Sequence, residues 1–135
     1  MIEQGLHAYL TGEPGVASFV GNRVFPMLIP QHTYDESTKL ACLVYSKVSD
    51  SRQQTLCGTD SVVTASYQID CYAASFLKAK QTAAAVRAAM IDFGGEWNGT
   101  TVKNVHLETE FDLMDPEPGL FRVSQSYRIW HVEEL

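Results

Sequence analysis

The sequence predicts an α+β fold, with a mostly antiparallel sheet of about four to five strands, a long helix (about 76–93) and a short N-terminal helix packed on one face. Residues 62–72, 101–111 and 120–132 alternate between apolar and polar side chains, which is typical of half-buried strands. The predicted long helix places apolar side chains at spacings of three and four. No repeat, low-complexity tract or linker divides residues 1–135, so we expect a single domain.

The N-terminal segment predicts a short helix over residues 2–10, because its apolar residues recur at helical spacing. A second helical turn near Val16 is closed by Gly21. Pro26 and Pro30 then restrict the stretch "RVFPMLIP" to an edge strand or an extended arm.

Residues 40–48 predict a strand with apolar side chains on both faces, so it is either covered on both faces or part of an interface. Residues 49–61 are polar and predict a long connection, and connections longer than about 12 residues are often functional or mobile. The alternative is that the middle of this stretch pairs as an extended hairpin.

Ser75 is the predicted N-cap of the long helix, and Gly94 and Gly95 are its predicted stop. Its many alanines allow it to lie close to a sheet. The pair Asn98–Gly99 is a strong hairpin signal, so "EWNGT" is expected to be a turn. The last two strands are expected to form an antiparallel hairpin.

The strand over residues 101–111 is expected to have a buried face and a solvated face. Its alternation places Val105, Leu107 and Phe111 together on the first face and a more polar group together on the second. The members of the polar group are His106, Glu108, Glu110 and Asp112.

Composition limits the classes of function. The net charge is −6, with 10 basic and 16 acidic residues, which argues against a free-standing nucleic-acid binder with a basic patch. The three cysteines form no close pair, so we expect neither a disulfide framework nor a cysteine zinc site. No apolar run approaches the roughly 20 residues that span a bilayer.

Motifs for catalysis are missing from the sequence. It contains no HExxH, GxSxG, P-loop or GxGxxG motif, so we expect no enzyme activity, no cofactor and no metal. A metal or acid–base site on His106, Glu108 and Glu110 is the alternative to a solvated acidic strand face. Cys71 and Cys42 are expected to be core residues rather than nucleophiles, and Cys57 is the cysteine expected to be exposed.

Several apolar residues lie on the side of a predicted strand that is expected to face solvent, which favours an interface with another protein. Trp130 lies beside Arg128, and Leu43 and Tyr45 lie on the second phase of residues 40–48. Exposed aromatic residues next to arginine are typical of interfaces. Burial of Trp130 under a helix or a terminal segment is the alternative.

The chain resembles the tail completion, or tail-to-head joining, proteins of long-tailed bacteriophages, which are also called tail terminators. The resemblance covers nearly the whole chain in order. It departs in the loop before "GLFRVS", which carries Pro116 and Pro118. The stretches that carry it are "GNRVFP", "LVYSKVSDSRQQTLCG", "YQIDCYA", "AKQTAAAVRAAM" and "HLETEFDLMDPEPGLFRVSQSYRIWH".

The resemblance implies a structural virion protein that caps the tail tube and joins the tail to the head connector. It implies a homo-hexameric ring with DNA passing through the lumen without sequence-specific binding. The implied partners are further copies of the chain, the tail tube protein and a head connector or neck protein, without a membrane. The implied location is the tail–head junction, reached from the host cytoplasm during assembly.

Two alternatives stay open: a head-completion or neck protein next to the portal, and a metal-binding or hydrolytic α+β domain. The family carries no catalytic residues to this chain. From loop length and polarity we predict interface residues in two loops, and the aromatic residue beside Arg128 on the last strand is added to them. The ring that the resemblance implies would have acidic residues facing its lumen. The interface residues are Arg52, Gln53, Gln54, Asp115, Glu117, Gly119 and Trp130, and the lumen residues are Glu108 and Glu110.

Overall fold

The computed structural model describes residues 2–21, 23–27, 41–55, 58–115 and 120–132, and the side chains of 52–55, 58–61, 115 and 120 lie outside that description. In chain order the elements are α1 (Ile2–Gly12), α2 (Pro14–Val20), β1 (Val24–Pro26), β2 (Cys42–Thr55), β3 (Gly58–Ala73), α3 (Phe76–Met90), β4 (Gly95–Trp97), β5 (Thr100–Asp115) and β6 (Leu120–Val132). Among the described residues no helix has the length and apolar character needed to cross a membrane.

The six described strands form one sheet in the order β1-β2-β3-β6-β5-β4. All neighbouring strands are antiparallel except β1, which pairs parallel to the start of β2. The long strands β2, β3, β5 and β6 curl into a half-barrel, and the three-residue strands β1 and β4 lie at its edges.

One face of the sheet, the helix face, carries the apolar phase of β3 and β6 and packs against the helices. Tyr67 and Ile69 of β3 are buried there with Tyr127 and Ile129 of β6. Buried residues of all three helices join the same cluster. The opposite phase of β3 and β6 defines the far face.

Aromatic side chains pack α1 against β4 and the end of α3. The Tyr9 ring stacks on Trp97 of β4 at 5.1 Å and lies 4.8 Å from Phe93. The Tyr9 hydroxyl donates to the Ala89 carbonyl of α3 at 2.6 Å. A single residue of α1 therefore holds both α3 and β4.

The predicted fold class is wrong in its sheet and in its helices. Within the described residues the sheet has six strands rather than four to five, and strand residues predominate over three short helices. Strand β4 was missed because its three residues are too few to show an alternating pattern, whereas β1 lies at an edge of the sheet, within the stretch "RVFPMLIP" that was predicted as an edge strand or an extended arm. The predicted helix over residues 76–93 ends at Met90, because Asp92 takes a positive φ of 60° and the chain leaves the helix.

Residues 49–61 do not form a long connection. Their described backbone belongs to β2 and β3, which pair as a hairpin through Gln54↔Thr59 and Thr55↔Gly58. The hairpin alternative was therefore correct. The stretch was misread because its side chains are polar on both phases, which leaves no alternating signal of burial.

The N-cap and the last strand were predicted correctly. The Ser75 side chain accepts a hydrogen bond from the Lys78 backbone N–H at 3.1 Å. Strand β6 covers residues 120–132 and pairs antiparallel with β5, as the alternation indicated.

Candidate interaction surfaces

The far face is polar along the middle of the sheet. Cross-strand pairing sets Thr64 opposite Trp130 and Ser66 opposite Arg128. These four side chains are half-buried or exposed, whereas their neighbours in sequence are buried on the helix face. The strand period of two thus separates an apolar core from a hydroxyl-rich surface.

A groove of about 330 Å³ opens on this face. Hydroxyl groups both donate and accept hydrogen bonds, and the Arg128 guanidinium adds positively charged donors. The guanidinium carbon lies 5.9 Å from the centre of the Trp130 ring, which is close enough for a cation–π contact. The residues that line the groove are Ser49, Ser51, Thr64, Ser66, Arg128 and Trp130.

Glu108 borders this surface. Its carboxylate accepts from Arg128 Nε at 2.6 Å, and both side chains are partly exposed. The pairing of β5 with β6 shifts between Leu107 and Thr109, so Glu108 occupies a bulge. The bulge changes which phase of β5 faces the helices.

Glu110 therefore lies on the helix face, opposite buried Gln125. Its two carboxylate oxygens accept from Arg87 Nη1 of α3, each at 3.0 Å. The predicted acidic face that joins Glu108 and Glu110 is wrong, because a one-residue bulge sends their side chains to opposite faces. No lumen is visible in a single chain, so their lumen role stays a prediction.

A buried polar network continues from Glu110 into the core. Gln125 Nε2 donates to the Glu110 carboxylate at 2.8 Å and to the Ala83 carbonyl of α3 at 3.0 Å. The Tyr127 hydroxyl donates to Gln125 Oε1 at 2.9 Å. Burial raises the pKa of Tyr127, so its hydroxyl stays protonated as a donor. The hydrogen bonds of this network join α3 to β5 and β6 of the sheet.

The residues considered for catalysis do not converge. Among the described residues, no group of three or more histidine, cysteine, aspartate or glutamate side chains could hold a metal. His106 lies on the far face opposite Arg128, away from Glu110. Burial raises the pKa of Cys71, and Cys42 is also buried with a raised pKa, so both thiols are core residues as predicted. Cys57 lies outside the described residues.

The predicted interface residues divide into three groups. Trp130 is half-buried in the groove rather than covered by a described helix. The backbone of Arg52, Gln53 and Gln54 belongs to β2 and that of Asp115 ends β5, but their side chains are not described. Glu117 and Gly119 lie outside the described residues.

Leu43 and Tyr45 were expected to favour an interface, and this expectation is wrong. Both belong to the hydrophobic core on the helix face. Cys42 and Val44, on the other phase of β2, are buried as well. The start of β2 is therefore covered on both faces, which was the other possibility that the sequence left open.

Sequence reasoning missed an exposed apolar surface at the end of the sheet where α3 begins. Leu77 and Met114 are 66% and 58% exposed. Phe111, expected in the core, is 48% exposed because the bulge at Glu108 turns it to the far face. A β-bulge cannot be recognised from a single sequence, so the exposure of Phe111 could not be predicted.

Comparisons with known proteins identify the family. The family model "Tail completion protein gp17" matches residues 4–132. A solved structure described as "Virion of native gene transfer agent (GTA) particle" contains a chain similar to this one, with a TM-score of 0.67 and 16% sequence identity. The match covers 92% of this chain and 89% of that chain, and at this identity it shows a shared fold. A comparison with curated proteins finds no match.

Proposed function

The chain belongs to the tail completion protein gp17 family, and we propose that it caps the tail tube and joins the tail to the head connector as a homo-oligomeric ring. Membership makes it a structural protein of a phage-like virion, located in the tail. The match over residues 4–132 is the observation that carries the proposal, since it spans almost the whole chain.

A structural role fits the way this chain uses its polar groups. Its buried side chain Gln125 holds α3 and β5 together. Its unused polar and apolar groups lie on open surfaces, in the groove and at the exposed end near Leu77. Surfaces of this kind serve contacts with other proteins.

The proposed ring encloses DNA that must move through it. A net charge of −6 suits this task, because like charge removes the counterion-release attraction that holds DNA on basic proteins. The repulsion comes from the whole chain rather than from Glu108 and Glu110 alone, since each of those carboxylates is paired with an arginine.

The test is to locate the protein and to remove it. Immunogold labelling of purified tails and of DNA-filled heads without tails should mark the head-proximal end of the tails only. Deletion of the coding sequence should leave particles with separate heads and tails, and the wild-type chain supplied in trans should restore joining.

Label on heads that have not yet received tails would instead favour a head-completion protein next to the portal. A chain absent from both structures, and dispensable for infectious particles, would refute the proposed function. The mass of the purified protein, measured by light scattering, separately tests the homo-hexamer.

A further inference from the structure

We propose that the groove on the far face binds the segment 115–119, "DPEPG", of a neighbouring copy of the chain. The groove is lined by Arg128, Trp130 and four hydroxyl side chains. This inference rests on the proposed ring and names the contact between its subunits.

The donors of the groove are suited to an acidic peptide. Arg128 uses its Nε for Glu108, and within the described part of the chain no ion pair engages its two terminal nitrogens. A guanidinium carries five N–H donors in a planar fork, so the terminal nitrogens can receive a second carboxylate. The hydroxyls of Ser49 and Ser66 can donate to backbone carbonyls.

The segment 115–119 has the complementary chemistry. Asp115 and Glu117 give it two carboxylates, and it contains no basic residue. Pro116 and Pro118 lack backbone N–H groups, so the segment offers more acceptors than donors. Proline-rich segments bind in grooves lined by aromatic residues, a role that Trp130 can fill.

A chain cannot place this segment in its own groove. The segment lies next to Leu120, at the start of β6, whereas Arg128 and Trp130 lie eight and ten residues along the same strand. At about 3.3 Å per residue, roughly 26–33 Å of extended strand separates the two features. Only another copy can supply the contact between segment and groove.

The contact uses different surfaces on the two partners, so it is heterologous. Heterologous contacts build closed rings when the rotation closes, whereas a two-fold contact would stop at a dimer. The placement of one groove and one segment on every chain thus meets the requirement of a ring built from such contacts.

Cysteine crosslinking tests the contact in the full chain. With Cys57→Ser as background, Ser66→Cys places a thiol in the groove and Glu117→Cys places one in the segment. Oxidation of the double variant should give a ladder of covalent oligomers. A mixture of the two single variants should give dimers and no larger species, because each partner has one thiol.

Charge reversal gives an independent readout by light scattering. Arg128→Glu and Glu117→Lys should each raise the protein concentration at half-assembly at least tenfold, and the double variant should recover most of the loss. Lys103→Glu, an exposed charge reversal outside the groove, should change assembly less than twofold. Circular dichroism should confirm that each variant is folded.

Only monomers in the crosslinking experiment, with both thiols reactive towards a maleimide, would overturn the inference. So would equal assembly of Arg128→Glu and the wild-type chain. Crosslinking of Ser66→Cys to a different virion protein in purified tails would replace the neighbouring copy as occupant. A chain that labels tails and joins them to heads but fails these tests would leave the proposed function standing.

Discussion

The polar network under α3 provides a quantitative test of the packing. Gln125 is fully buried and bonds to three groups: the Glu110 carboxylate at 2.8 Å, the Ala83 carbonyl at 3.0 Å and the Tyr127 hydroxyl at 2.9 Å. Gln125→Leu keeps a side chain of similar size and removes all three bonds. It leaves the buried Tyr127 hydroxyl without this acceptor.

The expected loss follows from the bonds. A hydrogen bond to a charged group contributes about 1.5–3 kcal/mol, and an orphaned buried hydroxyl costs about 1–3 kcal/mol. The added apolar burial of leucine offsets part of this, so we expect Gln125→Leu to lower the free energy of unfolding by about 2–4 kcal/mol. For a chain of this length that corresponds to a fall in Tm of about 7–14 °C.

Tyr127→Phe tests the hydrogen bond between Tyr127 and Gln125 separately from the other bonds of Gln125. Alone it should cost about 1–2 kcal/mol, because it leaves Gln125 Oε1 without its donor. In the double variant Gln125→Leu with Tyr127→Phe neither group is orphaned. The double loss should therefore be smaller than the sum of the single losses by about 1 kcal/mol or more.

Urea unfolding followed by circular dichroism measures all four corners of this cycle. Gln4→Leu, the same exchange at an exposed position of α1, is the matched control and should change stability by less than about 0.5 kcal/mol. Strictly additive losses, or a Gln125→Leu variant as stable as the wild-type chain, would refute the assigned role of the network.

Two further outcomes follow from α1. Gly5→Ala should destabilise the fold by about 1–2 kcal/mol in urea unfolding, because the added Cβ would lie 2.5 Å from the Trp97 carbonyl oxygen. This cost outweighs the better helix propensity of alanine. Gly12→Ala is the control and should be neutral or stabilising, because its added Cβ would meet no atom within 4 Å. Burial raises the pKa of Glu3, but a backbone hydrogen bond and the Lys47 ammonium at 3.2 Å outweigh it, and the pKa falls below its usual value. The stabilisation by the Glu3 carboxylate is complete above its unfolded pKa of about 4.3 and is lost as pH falls through its lower folded pKa. Glu3→Gln should therefore reduce the free energy of unfolding at pH 7 and make it depend less on pH in acid. Equal acid dependence of the variant and the wild-type chain would contradict this.

Sequence patterns predicted those elements whose side chains alternate against a core. The strand over 120–132 was correct to its ends because its apolar phase, Val123, Tyr127 and Ile129, is buried on the helix face. The Ser75 N-cap was correct because its hydrogen bond is local to the chain. Periodicity and local bonding are both visible in one sequence.

The errors arise where the pattern depends on distant contacts. The bulge at Glu108 exists because β5 and β6 pair with different residue counts, and one sequence does not record that count. The assignments beyond the bulge were therefore inverted, since Phe111 was placed in the core and Glu110 on the solvated face. The same bulge explains why Glu110 does not share a face with Glu108, whereas the interface role of Trp130 stays a prediction.

The far end of the β2–β3 hairpin shows why a polar stretch can still be an ordered strand. The sequence of residues 49–61 contains few apolar residues, and an isolated two-stranded hairpin is at best marginally stable in water. The part of β3 at the base of the hairpin is, however, held by β6, from Val62↔Val132 to Ala73↔Phe121. Because β6 already holds part of this hairpin, ordering the hairpin against a partner protein costs little further conformational entropy. The groove lies at the base of this hairpin, next to Ser49 and Ser51, which is where a neighbouring subunit would gain most from contact.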